Sequence, residues 1–186
     1  MFKSAMLQMT QAFLLVVDVQ ERFIPIMWQG ERMHKNVQIL VNAFKELHLP
    51  IVVTEQYPEG LGHTSPELLE ILPPTTPIYS KRSFGALAEA KIKVALQQEI
   101  QRKQILVCGL EAHVCVNQTV HQLLEAGYQV HLVEDAIASR KETNIQIGIA
   151  KMLRAGALPT STEMALFELL SSSAHPRFKQ VQALIK

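Results

Sequence analysis

KQILVCGLEAHVCVNQTVHQLLEAG, residues 103–127, decides the fold. Its opening run, KQILVCGL (103–110), has too few polar positions to leave one face in water, which suits a strand covered on both sides. From Val116 the period changes. Val116, Val120, Leu123 and Leu124 line one side of a helix that Gly127 closes at a C′ position. Between strand and helix lies a tight turn ending in Cys115, where the helix would begin. Strand, turn and helix in that order are the first half of a βαβ unit, the building block of parallel sheets.

The same alternation extends both ways along the chain. AFLLVVDV (12–19), PIVVTE (50–55), PIYS (77–80) and YQVHLVEDA (128–136) are further strands, and ALPTST (157–162) is a weaker sixth. Met33, Val37, Leu40, Val41 and Phe44 form a helical stripe after the first strand. Ser139 with Glu142, and Thr160 with Glu163, have capping-box spacing, and a last helix follows Pro176 with Phe178, Val181 and Leu184 inward. Strands alternating with helices predict a doubly wound α/β sheet. The chain has no internal repeat or linker, and PPTTP (73–77) reads as a loop inside one domain spanning 1–186.

Composition narrows the function. The net charge of +1, with lysines and arginines scattered, gives no footprint for nucleic acid. No stretch is long and apolar enough to span a membrane. Gln8, Thr10 and Gln11 interrupt the apolar run after Lys3, so it reads as a first strand and not a secretory leader. Two cysteines do not make a disulfide framework, and the expected setting is the reducing cytoplasm. Glycines 60, 62 and 109 form neither a dinucleotide fingerprint nor a phosphate loop, so no cofactor is expected.

In open parallel sheets, ligands sit beyond the carboxyl ends of the strands. Three reactive side chains fall there: Asp18 ends the first run, Lys81 follows PIYS, and Cys115 sits just past LVCGL. A helix N-terminus and a nearby ammonium would lower the thiol pKa of Cys115, and Asp18 would take its proton and later deliver it to a leaving group. Backbone N–H groups of the turn would face a developing oxyanion. Phe23, Tyr57 and Phe84 would wall a small pocket, Gln20 and Gln56 would orient a polar substrate group, and His113 would line the pocket. His121 and His131 read as structural or surface residues, Cys108 as core, and Trp28 as a candidate for an oligomer interface.

VVDVQ (16–20), SKRSFGA (80–86) and CGLEAHVCV (108–116) resemble the three signature regions of the isochorismatase-like cysteine hydrolases. TEQYPEGLG (54–62) and DAIASR…MLRAGA (135–157) are similar to the branch of isochorismatase-domain-containing proteins. The resemblance covers nearly the whole chain. It implies a six-stranded, mainly parallel Rossmann-like sheet in a three-layer sandwich. It also implies Cys115 as nucleophile, Asp18 as acid/base, Lys81 as third triad member and a commonly oligomeric assembly. Further implied are a cis peptide at Leu110–Glu111 and an oxyanion hole from the N–H groups of Glu111 and Cys115. Nicotinamidases of the family carry an Asp-x-His metal motif with further histidines after the second strand. Here TEQYPEGLGHTSPE offers only His63, so no metal is expected. True isochorismatases cleave a vinyl ether without a thiol nucleophile, so Cys115 points elsewhere.

The expected function is metal-independent hydrolysis of a small molecule, an amide before others, through a Cys115 thioester. The alternative is a non-catalytic small-molecule-binding or interaction protein that retains the triad.

Overall fold

Residues that are apolar on both faces can form strands only if both faces are covered, and the first expected strand is such a segment. In the computed structural model, which describes residues 6–99 and 101–186, all six residues of β1 (Ala12–Val17) are buried. So are all residues of β2 (Ile51–Gln56) and β4 (Gln104–Leu110). With β3 (Ile78–Lys81), β5 (Gln129–Ala138) and β6 (Leu158–Thr160) they form one six-stranded sheet in the order β3-β2-β1-β4-β5-β6. Every pairing is parallel, where the resemblance implied a mainly parallel sheet.

Helices cover both faces. Leu14, Val16, Leu106, Cys108 and Val133 pack with α1 (Gly30–Glu46), α7 (Thr162–Leu170) and α8 (Phe178–Ala183). The alternate residues Phe13, Leu15, Val17, Ile105, Val107, Val130 and Leu132 pack with α4 (Ala90–Val94), α5 (Asn117–Glu125) and α6 (Glu142–Arg154). Short helices α2 (Pro58–Leu61) and α3 (Pro66–Ile71) complete the loop after β2. Each large apolar side chain that is fully buried contributes about 1.5–3 kcal/mol. The stripe Met33, Val37, Leu40, Val41 and Phe44 is buried along α1 as its spacing requires.

The capping-box expectations shift. α7 is capped by Ser161, one residue after Thr160, whose hydroxyl accepts from the Met164 N–H. Lys141, not Ser139, occupies the cap position of α6, and Ser139 is buried at the end of β5 with a different partner. The reversal of strand order falls between β1 and β4, where Val17 pairs with Gly109. Gly109 has φ +116°, and a Cβ there would stand 2.0 Å from the Val17 carbonyl oxygen. Only glycine lets these two strand ends meet.

His131 sits inside β5 at 2% exposure, and its Nε2 has no hydrogen-bond partner among the described residues. Burial pushes its pKa down to about 4. The unfolded chain, titrating near 6.5, then binds more protons than the folded one as pH falls through the interval. Stability should drop by about 3 kcal/mol between roughly pH 6.5 and pH 4 from this residue alone. Urea unfolding of wild type and His131→Leu across that range measures it. The variant is expected to lose correspondingly less stability on acidification.

Candidate active site

The carboxyl ends of β1, β2 and β3 are neighbours, so the residues that end them meet. Asp18 follows β1 with φ +52°, a left-handed conformation that Asp tolerates better than most side chains. That turn sends its carboxylate under the sheet edge, where Oδ1 accepts from Thr54 Oγ1 at 2.7 Å and Oδ2 lies 2.7 Å from Lys81 Nζ. Asp18 is 1% exposed and Lys81 2%. The ammonium also donates to Gln56 Oε1 at 2.6 Å and to the carbonyls of Ser83 at 3.3 Å and Phe84 at 3.1 Å. Those carbonyls are presented by a loop that Glu89 closes, its carboxylate accepting from the N–H groups of Arg82 and Ser83 at 3.0 Å. The Ser83 hydroxyl and these N–H groups hold the Glu89 carboxyl down at about 2.

Cys115 approaches from β4. The Leu110–Glu111 peptide bond is cis, and the chain then makes a π-helical turn over Ala112–Val116 before α5 starts at Asn117. The cysteine therefore sits in that π turn and not at the start of the helix proper. Its thiol, 7% exposed, faces Gln56 Oε1 at 3.9 Å. The turn is held from three sides. His113 Nδ1 lies 3.0 Å from Ser139 Oγ, and Asn144 Nδ2 of α6 lies 3.3 Å from His113 Nε2. Gly148 brings α6 so close that a Cβ would stand 3.0 Å from the Ala112 carbonyl oxygen. Arg140 Nε meets the Glu111 carboxylate at 3.1 Å.

The electrostatics correct the expectation of a thiol made acidic by its surroundings. Burial, and then the negative charge of Asp18, push the Cys115 thiol up to about 12, with Lys81 pulling the other way. Burial likewise raises Asp18 above the usual carboxylate range, against the pull of Lys81 and of the Lys81 and Thr54 hydrogen bonds. The resting site is a protonated thiol beside a strengthened base.

Residues 12–164 match the Isochorismatase domain. This chain belongs to the isochorismatase family. It is 37% identical to isochorismatase domain-containing protein 2 of Danio rerio, over 92% of this chain and 85% of that one. It is equally 37% identical to the secreted isochorismatase effector Isc1 of Phytophthora sojae, over 93% and 83%. Among solved structures, the MAR1 ribonuclease of Caenorhabditis elegans superposes with a TM-score of 0.91 at 38% identity, over 97% of this chain and 92% of that one.

Several residues of this isochorismatase-family chain differ in role from their sequence reading. Gln20 spends its carboxamide on the main chain: Nε2 donates to the carbonyls of Gln56 and Gly62, and Oε1 accepts from the Gln56 N–H. Phe23 packs against the core under α1. Tyr57 lies half-exposed beneath the Arg82 guanidinium, 3.7 Å from its ring centre, and Phe84 is 52% exposed. His113 uses both ring nitrogens on Ser139 and Asn144, so it fixes the turn. Thr54, Glu55, Ser139, Asn144 and Gly148 were missed. Glu55 anchors the loop after β2, its Oε1 accepting from the N–H and hydroxyl of Thr64 at 2.7 and 2.8 Å. Only the polar residues Thr-Glu-Gln at the end of an otherwise apolar strand pointed to this cluster.

The residues present do not fit a metal. His63 turns its Nδ1 to Glu55 at 3.1 Å, the Gln56 carboxamide is engaged by Lys81 and the Arg82 carbonyl, and no cluster of three or more His, Cys, Asp and Glu is gathered among the described residues. No helix among them is long and apolar enough to cross a membrane.

Removing one partner of a buried ion pair leaves the other charge stranded, at a cost of about 3–5 kcal/mol. Lys81→Met should lose stability of that order. Adding Asp18→Asn to it should restore most of the loss, a coupling that a double-mutant cycle in urea reads directly.

Proposed function

We propose that the protein is a metal-independent hydrolase that cleaves a small amide through a thioester on Cys115. One observation carries the reading. A nucleophile, a buried carboxylate of raised pKa and a buried ammonium share a single hydrogen-bonded cluster at the strand-order reversal of a parallel sheet.

Cys115 Sγ attacks the carbonyl carbon as its proton passes to Asp18, so no standing thiolate is needed. The N–H groups of Glu111 and Cys115 receive the developing oxyanion. The tetrahedral adduct collapses as the C–N bond breaks, and the amine leaves with the proton from Asp18. Water, deprotonated by Asp18, then adds to the thioester, and its collapse releases the carboxylic acid and returns the proton to sulfur. Lys81 balances the charge of Asp18 throughout and orients it.

The same proposal has the protein acting in a reducing cytoplasm as a homo-oligomer, with both cysteines free and Trp28 48% exposed before α1. RNA cleavage, named for the Caenorhabditis elegans relative, finds less support. The net charge is +1, and the one ammonium in the cluster is already occupied by Asp18, Gln56 and two carbonyls.

Amine release from a panel of small amides tests the reading. The wild type should turn over at least one, and Cys115→Ala should abolish that turnover while keeping its unfolding midpoint. Activity that survives in Cys115→Ala rules out the thioester. Because Asp18 is raised, the acid limb of kcat/KM should lie above the ordinary carboxylate pKa of about 3.9.

A further inference from the structure

Gln56 ends β2, between the strand ends that carry Asp18 and Lys81, and its side chain is turned into the protein. Its Oε1 stands 2.6 Å from Lys81 Nζ and 3.9 Å from Cys115 Sγ. Its Nε2 donates to the Arg82 carbonyl at 2.8 Å. Its main chain is gripped on both sides by Gln20, at 2.8 Å through the N–H and 3.1 Å through the carbonyl. A carboxamide committed at both ends does not orient a substrate. It joins the ammonium to the thiol.

We propose that Gln56 is a positioning residue of the active site, whose carboxamide oxygen holds Lys81 and Cys115 in register and supplies a neutral acceptor at the sulfur. The proposal rests on the reading of Cys115 as the nucleophile. Neutrality is the point. The cluster otherwise contains one carboxylate and one ammonium, which balance. A second carboxylate at Gln56 would compete with Asp18 for Lys81 and oppose negative charge on the sulfur. The amide accepts the same two hydrogen bonds without adding charge.

The test needs no substrate. The rate of Cys115 alkylation by iodoacetamide is read by peptide mass between pH 6 and pH 10, with the fully buried Cys108 as internal control. Wild type is compared with two variants of similar side-chain length, Gln56→Glu and Gln56→Met. The added carboxylate should slow alkylation at pH 8 by about tenfold or more, the effect of a shift of one pKa unit. Gln56→Met releases Lys81 toward the sulfur and should speed it several-fold. A merely structural role would loosen the site and speed both, so the opposite signs are diagnostic. If one variant does not fold, the other still has its own predicted sign. A Glu variant that reacts as fast as wild type, or a Met variant no faster, overturns the proposal. If Cys115 forms no acyl intermediate but the two signs appear, the hydrolase reading fails and the role of Gln56 stands. If Cys115 turns substrate over and the signs do not appear, the reverse holds.

Discussion

The Asp18–Lys81 ion pair is the constraint on which the rest of this structure depends. Two charges held 2.7 Å apart and nearly out of contact with water each lose several kcal/mol of hydration, which their attraction offsets only when every remaining polar valence is filled. The fold supplies those fillings from separate elements. Thr54 comes from β2, Gln56 from the end of the same strand, and the carbonyls of Ser83 and Phe84 from the loop that Glu89 closes. None of them reaches unless β1, β2 and β3 end at matching depth, which the parallel register from Val17–Thr54 to Gln56–Lys81 provides.

The pair also sets the chemistry. Burial and the carboxylate keep the thiol protonated at rest, and burial makes the carboxylate a stronger base. In the proposed mechanism, nucleophile and base are thus matched by a shared proton in a dry site, and the thiolate arises only as bonds to a substrate form. A resting thiol of this kind is spared much of the oxidation and alkylation that an exposed thiolate suffers. The turn that carries it is correspondingly rigid, pinned by His113 to Ser139 and Asn144 and pressed by Gly148 of α6.

Much of this was legible in the residues. Apolar runs such as AFLLVV and QILVCGL gave the buried parallel strands because nothing else suits segments without a polar face. That Asp18, Lys81 and Cys115 come together was readable because each ends or follows a strand, and strand ends in such sheets share an edge. The sign of the thiol shift was not readable, since it depends on burial and on the distance to Asp18, which no spacing reports. Nor were the partners of Gln20, Gln56 and His113. A polar side chain at a sheet edge looks the same in sequence whether it faces a ligand or a neighbouring carbonyl. Ser139 had the spacing of a helix cap, but the chain at the end of β5 turned it inward to His113.

Whether Cys115 carries an acyl group during turnover decides the mechanism, and that is measured most directly by mass. The protein is mixed with a small activated acyl donor such as 4-nitrophenyl acetate, quenched in acid, and read by intact mass and peptide mapping. A single acyl group on Cys115 that decays as product forms, and that appears far more slowly when Asp18 is changed to Asn, is the predicted result. Acylation that persists unchanged in Cys115→Ala, or that never reaches Cys115, would contradict it.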